Sequence, residues 1–172
     1  MNEQITLLHD IIKAHRQYRD DSLLWKSIQI VDDCAEVTAK ERANKHCNSV
    51  SFYALLRAIG AIRMPYADWY QHLLDHDLID DRGWLMDKGD ILKSLKLDKV
   101  VIDKSGQVKY PGFYQIKIEN PHGTHFMAGY AKDDLLLKID DSNNRGFDVT
   151  IEAGLRSDDR LIWARRLYAK TV

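Results

Sequence analysis

Two residues and a pair of aspartates have the types and the order for thiol chemistry: Cys47, His125, and Asp140 or Asp141. Cys47 follows the polar run KERANKH and, with Asn48, precedes SVSFYALLRAIG, whose apolar spacing predicts a helix. Unpaired N–H groups at a helix start favour negative charge on sulfur, and the thiolate is the nucleophile. His125 follows the turn signal NPHGT and heads the strand candidate HFMAGY. A base in that place accepts a thiol proton or holds the thiolate as an ion pair. Asp141 ends the next strand candidate, sixteen residues after His125. A hairpin of strand, AKDD turn and strand returns that end to the start of the first strand. A carboxylate there fixes the tautomer of an imidazole and stabilises its charged form. Only one of the two aspartates can face the histidine, because side chains alternate along a strand. Taken singly, a buried free cysteine, a surface histidine and two turn aspartates account for the same residues. Their order along the chain supports the chemical reading.

The elements that must position these groups change character along the chain. The first ~95 residues read as helical and the last ~75 as strands. Helices are expected over residues 3–18 and 22–42, then from Val50 to a cap at Gly60, from Pro65 to His76, and in a short piece capped by Asp87. From Val100 the period is two. KVVID, GFYQIKIEN, HFMAGYA, DLLLKID, FDVTIE and RLIWARRLYA are strand candidates separated by KSGQ, NPHG, AKDD, SNNRG and RSDD. Short turns imply antiparallel pairing. Helices first and a meander second predict an α+β domain.

Length and composition permit this. The sequence has 172 residues, enough for one domain with its own core. Its 25 basic and 26 acidic side chains nearly cancel, so no basic surplus points to nucleic acid or to a membrane surface. No apolar run approaches the ~20 residues of a membrane span, and MNEQITLLHD lacks the pattern of a secretory signal. Cys34 and Cys47 do not form a disulfide framework, so a cytoplasmic protein with free thiols is expected.

The order of cysteine at a helix start, histidine at a strand start and acid at the end of the next strand resembles the papain-like cysteine peptidase superfamily. The bacteriocin-leader peptidase domains of export transporters look closest. From Cys47 to Trp163, about two-thirds of the chain, the sequence is similar to an uncharacterised phage- and spirochaete-associated family of such domains. The segments that carry the likeness are HCNSVSFYALL, DLIDDRGWLMDKGDILKSLKL, HFMAGY, DDSNNRGFDV and DRLIWARR. The resemblance implies a single papain-like domain over 1–172, with N-terminal helices packed on a C-terminal antiparallel sheet. Residues 1–43 would be a helical extension and 44–172 the core. It implies hydrolysis of an amide bond in a peptide or protein, with Cys47, His125 and Asp141 as the site. Asp141 is favoured over Asp140 because the resembling families carry their acid just before the turn. The alternative is a catalytically inactive module of the same fold that binds a peptide or protein. No cofactor and no metal are required.

One position departs from the family pattern. Many papain-like enzymes carry a glutamine six residues before the cysteine, where its amide helps hold the oxyanion; Glu41 stands there instead. An ionised Glu donates no hydrogen bond. Asn44, Asn48 or the backbone N–H of Cys47 could supply a donor. Other features have plainer readings. His46 would tune the thiol or do nothing. His72 and His76 share a helix face but lack a metal motif, and are expected to be solvated. Trp69, Trp84 and Trp163 are expected in the core. The basic run RLIWARRLYAK reads as a charged edge strand rather than a nucleic-acid patch.

Overall fold

A polar run followed by an uninterrupted apolar one makes a helix that must be buried along its length. In a computed structural model of the chain, helix α1 (Cys47–Ala58) is such a helix: of its described side chains only Asn48 and Arg57 are partly exposed. The structure describes residues 47–64, 66–80, 83–106, 111–132, 135–140, 148–150 and 158–170, with backbone alone at 50, 66–67, 132, 135–140 and 148–150. The expected helices over 3–18 and 22–42, Cys34, Glu41, Asn44, His46 and Asp141 lie outside the described residues.

Two further helices follow, α2 (Tyr66–Asp75) and α3 (Lys88–Ser94). The Asp87 side chain caps α3 by accepting from the Asp90 N–H at 3.2 Å. All three helices close with the same kind of bond, in which the third residue past the helix end donates back five positions. Ala61 donates to the Leu56 carbonyl at 2.9 Å, Leu78 to Leu73 at 2.8 Å, and Leu97 to Leu92 at 2.9 Å. This closure needs a left-handed residue. Gly60 (φ 74°) takes that place after α1, as its sequence position suggests, but Asp77 (φ 54°) and Lys96 (φ 56°) take it after α2 and α3.

Six strands form one sheet: β1 (Val100–Asp103), β2 (Gly112–Asn120), β3 (Gly123–Lys132), β4 (Leu135–Asp140), β5 (Asp148–Thr150) and β6 (Arg160–Ala169). Their order is β1-β6-β2-β3-β4-β5, and every neighbouring pair is antiparallel. The described chain is therefore an α+β structure. Strands β2 to β5 make the expected meander. β2 and β3 are joined by a two-residue turn, Pro121 and His122, in which the His122 N–H donates to the Asn120 side chain at 2.9 Å.

The expectations for β6 and for two of the tryptophans fail. β6 is not an edge strand: it runs between β1 and β2, with Val100 opposite Ala169 and Phe113 opposite Leu167. Its arginines have partners at close range: Arg160 pairs with Glu119, Arg165 lies over Trp163, and Arg166 lies over Tyr168. Trp84 is not in the core but 61% exposed, and Trp163 is half-buried and belongs to neither core cluster. A bridge pairs Ile79 with Leu85, and Leu85 packs against the core while its neighbour Trp84 faces out.

The sheet is apolar on both faces. On one, Phe113, Ala128, Tyr130 and Leu167 join a core with residues from all three helices, including Leu55, Trp69 and Ile91. On the other, Tyr114, Ile116, Ile118, Met127, Ala131 and Ala164 form a separate cluster. α1 lies on β2 and β3. Ala128, fully buried, is small enough there to admit a helix at close range.

Candidate functional site

Cys47 is the first residue of α1, free and only 4% exposed. Its surroundings are held by a buried polar network. Trp69 Nε1 donates to Ser49 Oγ at 3.2 Å, tying the first turn of α1 to α2. Gln115 of β2, 1% exposed, donates through Nε2 to Asn48 Oδ1 and to Ser51 Oγ, each at 2.8 Å. Ser51 Oγ in turn donates to the Asn48 carbonyl at 3.1 Å. An amide nitrogen only donates, so the Gln115 bond fixes which way the Asn48 amide points. Its oxygen is engaged by the sheet, and its N–H₂ group is left to serve the space beyond.

That space is a cavity of about 510 Å³ lined by Cys47, Asn48, Trp84, Leu85, Lys117, Thr124 and Phe126. The start of α1 forms one side and the β2–β3 hairpin another. Thr124 and Phe126 are the two neighbours of His125. The structure thus brings the segment that carries His125 to the cavity that holds Cys47. His125 itself is the third residue of β3, two positions later in the strand than its sequence suggests, and pairs with Ile118. It is 6% exposed. Since Thr124 and Phe126 line the cavity, alternation assigns the imidazole to the opposite face, with Ile118 and Met127. His125 is not among the cavity-lining residues.

The acid is placed only in part. Asp140 ends β4 opposite Ala128, three positions along β3 from His125, after a register shift that follows the Gly129–Lys138 pair. Asp141 lies outside the described residues.

Lys88, at the start of α3, stands over the rings of Phe52, Phe126 and Trp163 with its ammonium 5.8, 5.7 and 5.6 Å from their centres. Burial, and then repulsion from Arg165, Lys104 and Lys117, brings its pKa down to about 8, with Asp87 acting the other way. Nothing in the sequence singles this lysine out, because the rings around it come from α1, β3 and β6. His72 Nε2 lies 2.9 Å from Ser94 Oγ, and its ring is 4.1 Å from that of His76. Burial and the neighbouring His76 lower the His72 pKa, while Asp75 raises it. Among the described residues no three His, Cys, Asp or Glu side chains are grouped to hold a metal. No described helix is long and apolar enough to cross a membrane. Compared with known proteins, the chain matches no family model, no curated protein and no solved structure.

Proposed function

We propose that this chain is a papain-like thiol hydrolase that opens an amide bond in a peptide or protein. One observation carries the reading. Cys47 begins a buried helix and lines a cavity that is also lined by Thr124 and Phe126, the two neighbours of His125. In this reading the Cys47 sulfur attacks the carbonyl carbon. The Asn48 N–H₂ group and the Cys47 backbone N–H receive the negative charge that develops on oxygen. The C–N bond breaks, His125 gives the leaving amine the proton it took from the thiol, and a thioester remains on Cys47. Water then attacks the thioester while His125 accepts its proton, the C–S bond breaks, the carboxylic acid leaves, and the proton returns to the Cys47 sulfur. Asp141 orients His125. The Asn48 amide supplies the donor that Glu41 cannot.

The reaction asks for one movement. The His125 ring must come round the start of β3 to the cavity side. Among the described residues, the Ile118–His125, Glu119–Thr124 and Asn120–Gly123 pairs hold this end of β3, and the movement must break them and lift a ring that is buried on the far face.

A general acyl donor, p-nitrophenyl acetate, tests the reading without knowledge of the natural substrate. The expected result is a burst of p-nitrophenolate and an acetyl group on Cys47 by peptide mass mapping, both lost in Cys47→Ala. Equal hydrolysis by the Cys47→Ala chain overturns it. The second reading, a module of the same kind that binds a peptide without cleaving it, is favoured by the assignment of His125 to the far face and by the 4% exposure of Cys47. An intact fold with no acetyl-Cys47 would support it.

A further inference from the structure

Three cations gather beside the cavity and share two aromatic rings. Lys117 pairs across the sheet with Phe126 on one side and Trp163 on the other, so the three lie in one row. The Lys117 ammonium is 5.5 Å from the centre of the Phe126 ring, which lines the cavity with it. Lys88 approaches the same ring at 5.7 Å and Trp163 at 5.6 Å. The Arg165 guanidinium stands 4.1 Å from the centre of Trp163. Two nearby described acids are committed: Asp87 caps α3, and Glu119 pairs with Arg160 at 2.6 Å. Among the described residues no carboxylate forms an ion pair with Lys88, Lys117 or Arg165. Ring faces attract cations. They do not remove the repulsion among three of them, which is strong where water is partly excluded. An anion placed in the cavity would.

We propose that the cavity at Cys47 selects a substrate that carries a carboxylate close to the bond it offers the sulfur, seated on Lys117 with Lys88 and Arg165 behind it. The proposal rests on the reading of Cys47 as a nucleophile. The carboxylate belongs either to an acidic side chain or to the C-terminus of a peptide, and Trp84, Leu85 and Phe126 give its apolar neighbours a wall to pack on. Among the described residues Lys117 is the only charged one lining the cavity, so selection there depends on charge rather than on shape alone.

Two alkylating reagents of similar size separate charge from nucleophilicity. Iodoacetate is anionic and iodoacetamide neutral, and both need the same thiolate, so the ratio of their rates at Cys47 reports the field of the cavity. In the folded full-length chain the iodoacetate-to-iodoacetamide ratio is expected to exceed that of Cys47 in the denatured chain by about fivefold. Salt should reduce the excess, and Lys117→Gln should remove most of it. A ratio equal to that of the denatured chain, with Cys47 labelled by both reagents, overturns this proposal and leaves the nucleophile intact. Labelling by neither reagent overturns the nucleophile and this proposal with it. Protection of Cys47 from iodoacetamide identifies the source: N-acetylglutamate α-amide protects if a side-chain carboxylate is read, N-acetylalanine if a chain end is read. Protection by neither overturns the substrate class.

Discussion

Replacing Lys88 by Met should make the protein more stable at neutral pH and less sensitive to alkaline pH. The ammonium lies over three rings, and burial followed by repulsion from Arg165, Lys104 and Lys117 lowers its pKa from 10.5 to about 8. Between those two values the folded chain binds fewer protons than the unfolded one. Stability therefore rises with pH through that window, and below about 8 the full cost of the buried charge is present. The drop from 10.5 to about 8 corresponds to about 3 kcal/mol. Each ring face returns about 0.5–1 kcal/mol to the ammonium. Met keeps the apolar stem and omits the charge, so a net gain of about 1–2 kcal/mol is expected at pH 7. Urea unfolding of both chains at pH 7 and near pH 10.5 measures it, and the difference between chains isolates Lys88 from other titrating groups. The gap should close as pH rises. A Lys88→Met chain less stable at pH 7, or a gap that does not change with pH, would refute the reasoning.

Asn48→Ala should slow turnover of an ester or peptide by about 10²–10³ while leaving iodoacetamide labelling of Cys47 unchanged, because an oxyanion donor acts only after attack. Gln115→Leu should act in the same direction and also cost about 1–3 kcal/mol in urea unfolding, since it strips the donor from buried Asn48 Oδ1 and Ser51 Oγ. Asp141→Ala should lose turnover and Asp140→Ala retain it; the reverse assay result would give the role to Asp140. Lys96→Gly should raise the thermal midpoint by about 2–4 °C, because Lys96 closes α3 at φ 56° where glycine is unstrained.

Local signals in the sequence proved dependable where local bonds decide the outcome. The apolar run after Cys47 is a helix, Gly60 is its left-handed cap, Asp87 caps α3, and the NPHG turn joins β2 to β3. Features set by pairing between distant segments were not legible. Nothing near RLIWARRLYAK announces that Val100–Asp103, some sixty residues earlier, covers its outer side and turns an apparent edge into an interior strand. Trp84 reads as core by type, yet a single bridge at Leu85 decides which neighbour turns inward. At the site, order along the chain brought the start of β3 to Cys47, but the face of His125 depends on a register that the strand pattern HFMAGY leaves open. Gln115 was invisible as a partner of Asn48 because 67 residues separate them, and a glutamine within an apolar strand was the available hint.

The rate of alkylation of Cys47 as a function of pH, in the wild-type chain and in His125→Ala, tests the thiol–imidazole pair most directly. Iodoacetamide should label Cys47 at mildly acidic pH, ahead of Cys34, and the His125→Ala chain should label it more slowly there while the two chains converge in alkali. Labelling of Cys47 that follows an ordinary thiol, with a pKa near 8.5, and is indifferent to His125→Ala would contradict the pair and leave a binding module.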